Sequence, residues 1–286
     1  MLPGVRFAGR SAIGDDVRVR RAHDRHVSHA DIERVRGGER ERARDELAVE
    51  EPLEIRVDGE PLAVTMRTPG EDEALAAGFL AGEALIAGPE DLVEVGPSED
   101  LAANVVDVRT RAGLRRDPSA ERRFYLSSSC GVCGKGALEF VRQEAAPSAA
   151  GPPIDSELVR RAPAEARRMQ LAFERTGGLH ATALFAADGE LLAVHEDVGR
   201  HNAMDKAIGE LLLDGRFPLA GVLACVSGRA SFELVQKASL AGLAGMVAVG
   251  APSSLAVELA RDRRMLLCGF VRDGSFNVYS GADRLT

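Results

Sequence analysis

Residues 220–272 read AGVLACVSGRASFELVQKASLAGLAGMVAVGAPSSLAVELARDRRMLLCGFVR. Three apolar runs, AGVLACVSG, GMVAVGAP and MLLCGFVR, alternate with two segments of helical character, ASFELVQKASLAG and SSLAVELARDRR. A strand buried on both faces shows an unbroken apolar run rather than alternation, so this order predicts a parallel sheet with helices on both sides. Cys225 and Cys268 sit mid-strand in apolar company and are expected to be small core residues.

Working outward, HATALFAADGELLAVHE (180–196) reads as a hairpin turning at Asp188-Gly189, and RHNAMDKAIGELLLDG (200–215) as an amphipathic helix. Met204, Ala207, Ile208, Leu211 and Leu212 make its apolar stripe and Gly215 stops it. SELVRRAPAEARRMQLAFERTGG (156–178) reads as a helix broken or kinked near Pro163 and ended by Gly177-Gly178. Upstream of the exposed linker AAPSAAGPP (145–153) the pattern changes. PLEIRVDGEPLAVTMRTP alternates around Asp58-Gly59 as a hairpin, GEDEALAAGFLAGEALI is helical, and DLVEVG, NVVDVRT and RRFYLSSS are strands. GKGALEFVRQE follows as a helix. The fold class expected is α/β, with a smaller N-terminal hairpin-rich part. The division expected is a mobile mixed-charge extension over 1–46, a β-rich part over 47–144 and an α/β ligand-binding part over 154–286. His23, His26 and His29 lie in the extension and read as part of a solvated arm rather than a metal site.

The 286 residues carry a formal net charge of -8, which argues against a general nucleic-acid binder. With no Trp and 4% aromatic residues, base-stacking platforms are not expected. No run of about 18 apolar residues suggests a membrane span, and the N-terminus lacks the apolar centre of a signal peptide; a cytoplasmic protein is expected.

Ligands of such a sheet gather at the carboxyl ends of its strands. Three segments fall there: SGRASFE (227–233), GAPSS (250–254) and VRDGSFN (271–277). Ser227, Ser253 and Ser254 stand beside small residues at helix starts, where backbone N–H groups suit anions, and Arg229 and Arg272 offer forked donors for phosphate. Ordinary helix capping explains the serines equally well. Neither GxGxxG nor GxxxxGK[ST] occurs, so a usual dinucleotide or Walker site is not supported. HEDVGRHNAMDK (195–206) crowds His195, Glu196, Asp197, Arg200, His201, Asn202, Asp205 and Lys206 into a strand-to-helix junction; it reads as a polar wall for substrate binding or acid–base work, with His201, Asp197 and Lys206 placed on it, or as a capped helix with solvated charges. His180 opens a strand and suits a core role as well as a site.

Cys130 and Cys133 lie in SSSCGVCGKG (127–136), between a predicted strand and a predicted helix. A helix N-terminus and Lys135 both favour the thiolate, and three glycines free the loop. Zinc would need Cys225 and Cys268 from mid-strand, and only one loop knuckle exists, so no metal is expected. A thioredoxin-like exchanger would place its CxxC after the first strand of a domain of roughly 100 residues, which is not the order here.

SSSCGVCGKGALE, RTGGLHATALF, HEDVGRHNAMDKAIG, VSGRASFELVQKASLAG, GAPSSLAVELA and GFVRDGSFNVYS resemble, in order and spacing, the signature segments of the FdhD family. The resemblance covers about residues 47–280. It implies a sulfurtransferase, or sulfur carrier, that takes persulfide sulfur from a cysteine desulfurase and passes it to molybdenum held by two molybdopterin guanine dinucleotides, before the cofactor enters formate dehydrogenase. It implies a cytidine-deaminase-like mixed sheet flanked by helices, and a homodimer. It places the persulfide on Cys130 with Cys133 as partner, and the cofactor on Phe270, Val271, Arg272, Asp273, Gly274 and Ser275. The deaminases' zinc signature is absent, so hydrolytic zinc chemistry is not expected. A CxxC thiol–disulfide oxidoreductase and a non-catalytic molybdenum-cofactor chaperone are the competing readings.

Overall fold

A computed structural model describes residues 25–98, 104–115, 152–272 and 274–286. The expected strand RRFYLSSS, the cysteine loop, the helix GKGALEFVRQE, most of the linker, His23 and Asp273 lie outside those residues.

The first described strands, β1 (Val27–Arg36) and β2 (Glu39–Ala48), pair antiparallel from Val27↔Ala48 to Arg36↔Glu39. This corrects the expectation of an irregular extension up to residue 46. The two turn residues, Gly37 and Gly38, both have positive φ, the geometry that matches the twist of a two-residue hairpin. Both faces of the ribbon are largely exposed, so no apolar alternation marks it in the sequence. Its base is held where Val27 packs on Ala172 and Leu179, and where Glu46 accepts from Arg175 Nε at 3.1 Å.

A four-stranded sheet follows, in the order β4-β3-β6-β5, from β3 (Glu51–Val57), β4 (Glu60–Arg67), β5 (Leu92–Pro97) and β6 (Val105–Thr110). The hairpin between β3 and β4 turns at Asp58-Gly59, both at positive φ, as its sequence predicts. Leu53, Ile55, Val57, Val106 and Val108 cover α1 (Asp72–Gly82) through Leu75 and Leu80.

The larger sheet has six strands: β7 (His180–Phe185), β8 (Leu191–Asp197), β9 (Leu223–Val226), β10 (Gly245–Ala248), β11 (Leu266–Arg272) and β12 (Ser275–Ser280). Their order is β12-β11-β10-β9-β7-β8. β9, β10 and β11 run parallel, as the apolar runs predict; β7, β8 and β12 pair antiparallel and make the sheet mixed. One face is covered by α2 (Ser156–Arg168), through Leu158, Val159 and Ala162. The other is covered by α4 (Arg200–Leu213), α5 (Phe232–Leu240) and α6 (Ser254–Asp262). The α/β class is therefore observed, with two sheets and helices on both faces of the larger. α2 runs unbroken through Pro163; the chain turns instead at Met169–Gln170, before α3 (Leu171–Thr176) ends at Gly177 in the left-handed region.

The sheets are joined where α1 crosses α4. A Cβ on Gly78 would overlap the carbonyl of Asp205, and one on Gly209 would overlap that of Ala74. Only hydrogen fits at both points, so the helix backbones touch. α4 is consequently buried nearly all round, beyond the one-sided stripe its sequence shows.

Candidate functional site

The loops leaving β9, β10 and β11 lie side by side at one edge of the larger sheet. Gly250 N–H donates to the Gly228 carbonyl at 2.9 Å, Phe270 N–H to the Gly250 carbonyl at 3.1 Å, and Ser253 N–H to the Ala230 carbonyl at 3.1 Å. Small residues here admit neighbouring chain: a Cβ on Gly250 would sit 3.0 Å from both Arg229 Cγ and the Gly228 carbonyl oxygen. The structure thus brings SGRASFE and GAPSS together and sets Phe270 of β11, the residue before VRDGSFN, beside them.

Their side chains divide. Ser227 Oγ accepts from Ala181 N–H at 2.9 Å, and Ser253 Oγ caps α6 by accepting from Ala256 N–H at 3.3 Å. Both hydroxyls have structural work, while Ser254 is exposed in the first turn. Arg229 and Arg272 are exposed. Phe270 is 39% exposed at positive φ, whereas Val271 points into the core at 1%. Gly274 turns the β11–β12 hairpin, and Ser275 Oγ donates to the Arg272 carbonyl at 3.0 Å.

Next to the first loop is a cavity of about 240 Å³, lined by Glu50, Met66, His180, Val198, Gly199, Arg200 and His201. It joins the edge at Gly228, where a Cβ would lie 3.5 Å from His180 Nδ1. His201 Nε2 lies 2.8 Å from Glu233 Oε2, and Arg200 Nη2 lies 3.9 Å from the same oxygen. The Glu233 carboxyl is held below its ordinary range, chiefly by its hydrogen bond to His201. Burial, and then the nearby Arg200 and His201, hold the His180 imidazole below its ordinary value.

The predicted polar wall is thus split, and two of its members are corrected. Asp197 and Lys206 are completely buried and pair at 2.9 Å, away from the cavity wall. Asp197 also accepts from Thr68 N–H at 3.0 Å, Gly199 N–H at 2.8 Å and Asn202 Nδ2 at 3.0 Å, while Lys206 donates to the Thr68 carbonyl at 2.8 Å. Asp205, one turn beyond His201, meets Lys237 Nζ at 3.0 Å; that ammonium also reaches Glu83 at 3.0 Å. Burial pushes Asp205 up to about 6, and the two carboxylates raise Lys237. These groups tie α4 to the N-terminal sheet and to α5. His195 pairs with Glu210 and takes no part in the cavity. The residues that sequence reading missed are Glu50 and Met66, for which no local motif exists, and Glu233, which already stood in SGRASFE.

Cys225 and Cys268 are core residues, as expected, and burial pushes both thiols up to about 12. Both register against Val247, so they stand two strand spacings apart, roughly 9–10 Å, too far for a disulfide. Cys130, Cys133 and Asp273 are outside the described residues. Among the described residues no group of three or more His, Cys, Asp or Glu side chains is placed to hold a metal, and no helix is long and apolar enough to cross a membrane.

The sequence model of the FdhD/NarQ family matches residues 48–286. The chain is 52% identical over 262 residues to the sulfur carrier protein FdhD of Streptomyces coelicolor, covering 88% of this chain and 93% of that protein. It is 51% identical over 256 residues to the protein of the same name from Anaeromyxobacter dehalogenans, covering 85% and 89%. The Mycobacterium tuberculosis protein of that name is 49% identical over 252 residues, covering 84% and 91%. A crystal structure described as a candidate formate dehydrogenase accessory protein from Desulfotalea psychrophila shares the fold. Its TM-score is 0.76 at 24% identity, covering 91% of this chain and all 100% of the other.

Proposed function

The chain belongs to the FdhD/NarQ family, and from that membership we propose that it is a sulfur carrier serving formate dehydrogenase. The observation that carries this reading is the near-50% identity to sulfur carrier proteins in a chain that also holds the paired thiols Cys130 and Cys133. The other two thiols are buried in the sheet, where burial disfavours the nucleophilic thiolate, and the loop pair is the chemical equipment of this proposal.

Sulfur enters when the Cys130 thiolate attacks the outer sulfur of a desulfurase persulfide. A new sulfur–sulfur bond forms on Cys130, the old one breaks, and the desulfurase cysteine leaves as a thiolate. Sulfur leaves when the Cys133 thiolate attacks the Cys130 sulfur. That expels hydrosulfide toward the molybdenum of the bis(molybdopterin guanine dinucleotide) substrate and leaves a Cys130–Cys133 disulfide. A dithiol reductant supplies the two electrons that reopen it.

The cofactor itself is cargo. Its guanine nucleotide ends carry phosphates, and the edge of the larger sheet offers Arg229, Arg272 and the sequence segment 270–275 to grip them. Phe270, exposed at that rim, is available to lie against a guanine face. A homodimer in the cytoplasm, in contact with a desulfurase and formate dehydrogenase, completes the proposal.

The test is mass measurement of the full chain after incubation with a cysteine desulfurase and cysteine. Wild type should gain one sulfur atom that a reductant removes, and Cys130→Ala should gain none. A sulfur gain that survives in Cys130→Ala overturns the assignment.

A further inference from the structure

We infer that the cavity between the two sheets is an oxyanion subsite, in which Arg200, His180 and His201 take a phosphate-type group. It deepens the reading above: there the anion would be one phosphate of the cargo, but the chemistry of the cavity does not depend on sulfur transfer. The three side chains come from different places, His180 from the start of β7 and the others from the first turn of α4, and converge on one space of about 240 Å³. Glu233 reaches His201 from the neighbouring helix at 2.8 Å and positions it, with Arg200 Nη2 3.9 Å from the same oxygen. A cation in the first turn of a helix opposes its dipole, so Arg200 is favoured there by a nearby anion, and Glu233 lies 3.9 Å away.

The charges set the pH behaviour. Glu50 also lines the cavity, so Arg200 alone gives it no excess positive charge. His180 faces Arg200 and His201 from α4 and Asp197 from β8, while Glu233 of α5 faces His201. Burial, and then Arg200 and His201, hold the His180 imidazole below its ordinary value, against the opposing pull of Asp197. An anion favours its protonated form, so the midpoint of His180 is higher in the complex than without the anion. Binding then takes up a proton, and affinity rises as pH falls through that window.

Calorimetric titration of the full chain with sulfate, whose charge is constant over the range, tests this directly. Sulfate should bind at least about fivefold tighter at about pH 5.5 than at about pH 8. That dependence should flatten in His180→Gln. Inorganic pyrophosphate should lose about tenfold or more in affinity in Arg200→Gln and in His180→Gln, and less than about twofold in Arg168→Gln, an exposed residue of α2 outside the cavity lining. Guanosine diphosphate separates the two sources of the anion: tighter binding than pyrophosphate marks a nucleotide-borne phosphate, equal binding a free one, and both keep the subsite. Thermal melting establishes that each variant is folded. Wild-type affinities in folded Arg200→Gln and His180→Gln overturn the subsite. If Cys130 still acquires its sulfur in that case, the sulfur-carrier reading survives.

Discussion

The joint between the two sheets and the open edge of the larger one are built from the same kinds of side chain, with opposite outcomes. In HEDVGRHNAMDK, Asp197, Asn202, Asp205 and Lys206 turn toward the joint, and each is buried against a named partner. Arg200 and His201, in the same stretch, face a cavity and share the single carboxylate of Glu233. A charge that holds a fold together has its bonding capacity used up inside the protein. One kept for a ligand stays half-exposed and under-partnered.

That contrast breaks most visibly at the helix crossing. Gly209→Val and Gly78→Val push a side chain into a backbone carbonyl that has no room to retreat. Each should cost more than about 3 kcal/mol in urea unfolding. An unchanged midpoint for either would mean that the helices are not in backbone contact. The buried pair comes next. Lys206→Met leaves the Asp197 carboxylate uncompensated at zero exposure and should cost about 3–5 kcal/mol, part of it recovered by adding Asp197→Asn. Equal stability of the single and double variants would show that the charge at Asp197 is not what Lys206 offsets. At the edge the stability effect should nearly vanish. Arg229→Gln with Arg272→Gln should change unfolding by less than about 0.5 kcal/mol, since both side chains are exposed. The same double variant should weaken capture of the guanine-bearing cofactor about tenfold or more. Loss of stability with intact capture would move these arginines from the edge's function to the joint's.

Legibility in the sequence followed the number of neighbours a segment has. β9, β10 and β11 read directly, because burial on two faces leaves an unbroken apolar run. α4 was legible on one side only: Met204, Ala207, Ile208 and Leu211 mark the sheet, but nothing in its periodicity announces that α1 lies on the other side. The β1–β2 ribbon escaped notice because it buries almost nothing, and only Gly37-Gly38 betrays its turn. Within the site, the three loop segments could be placed at one edge from strand order alone. Ser253 remained ambiguous, since the residue types that cap a helix are those that bind an anion. Glu50 and Met66 could not be found, because they reach His180 and His201 only through the packing of one sheet against the other.

The central claim is that a single thiol at position 130 carries the sulfur that formate dehydrogenase requires. Its most direct test is formate-dependent activity in cells that lack this protein and receive wild type, Cys130→Ala or Cys133→Ala. Wild type should restore formate oxidation and Cys130→Ala should leave it at the level of the empty strain. Full restoration by Cys130→Ala would contradict the claim.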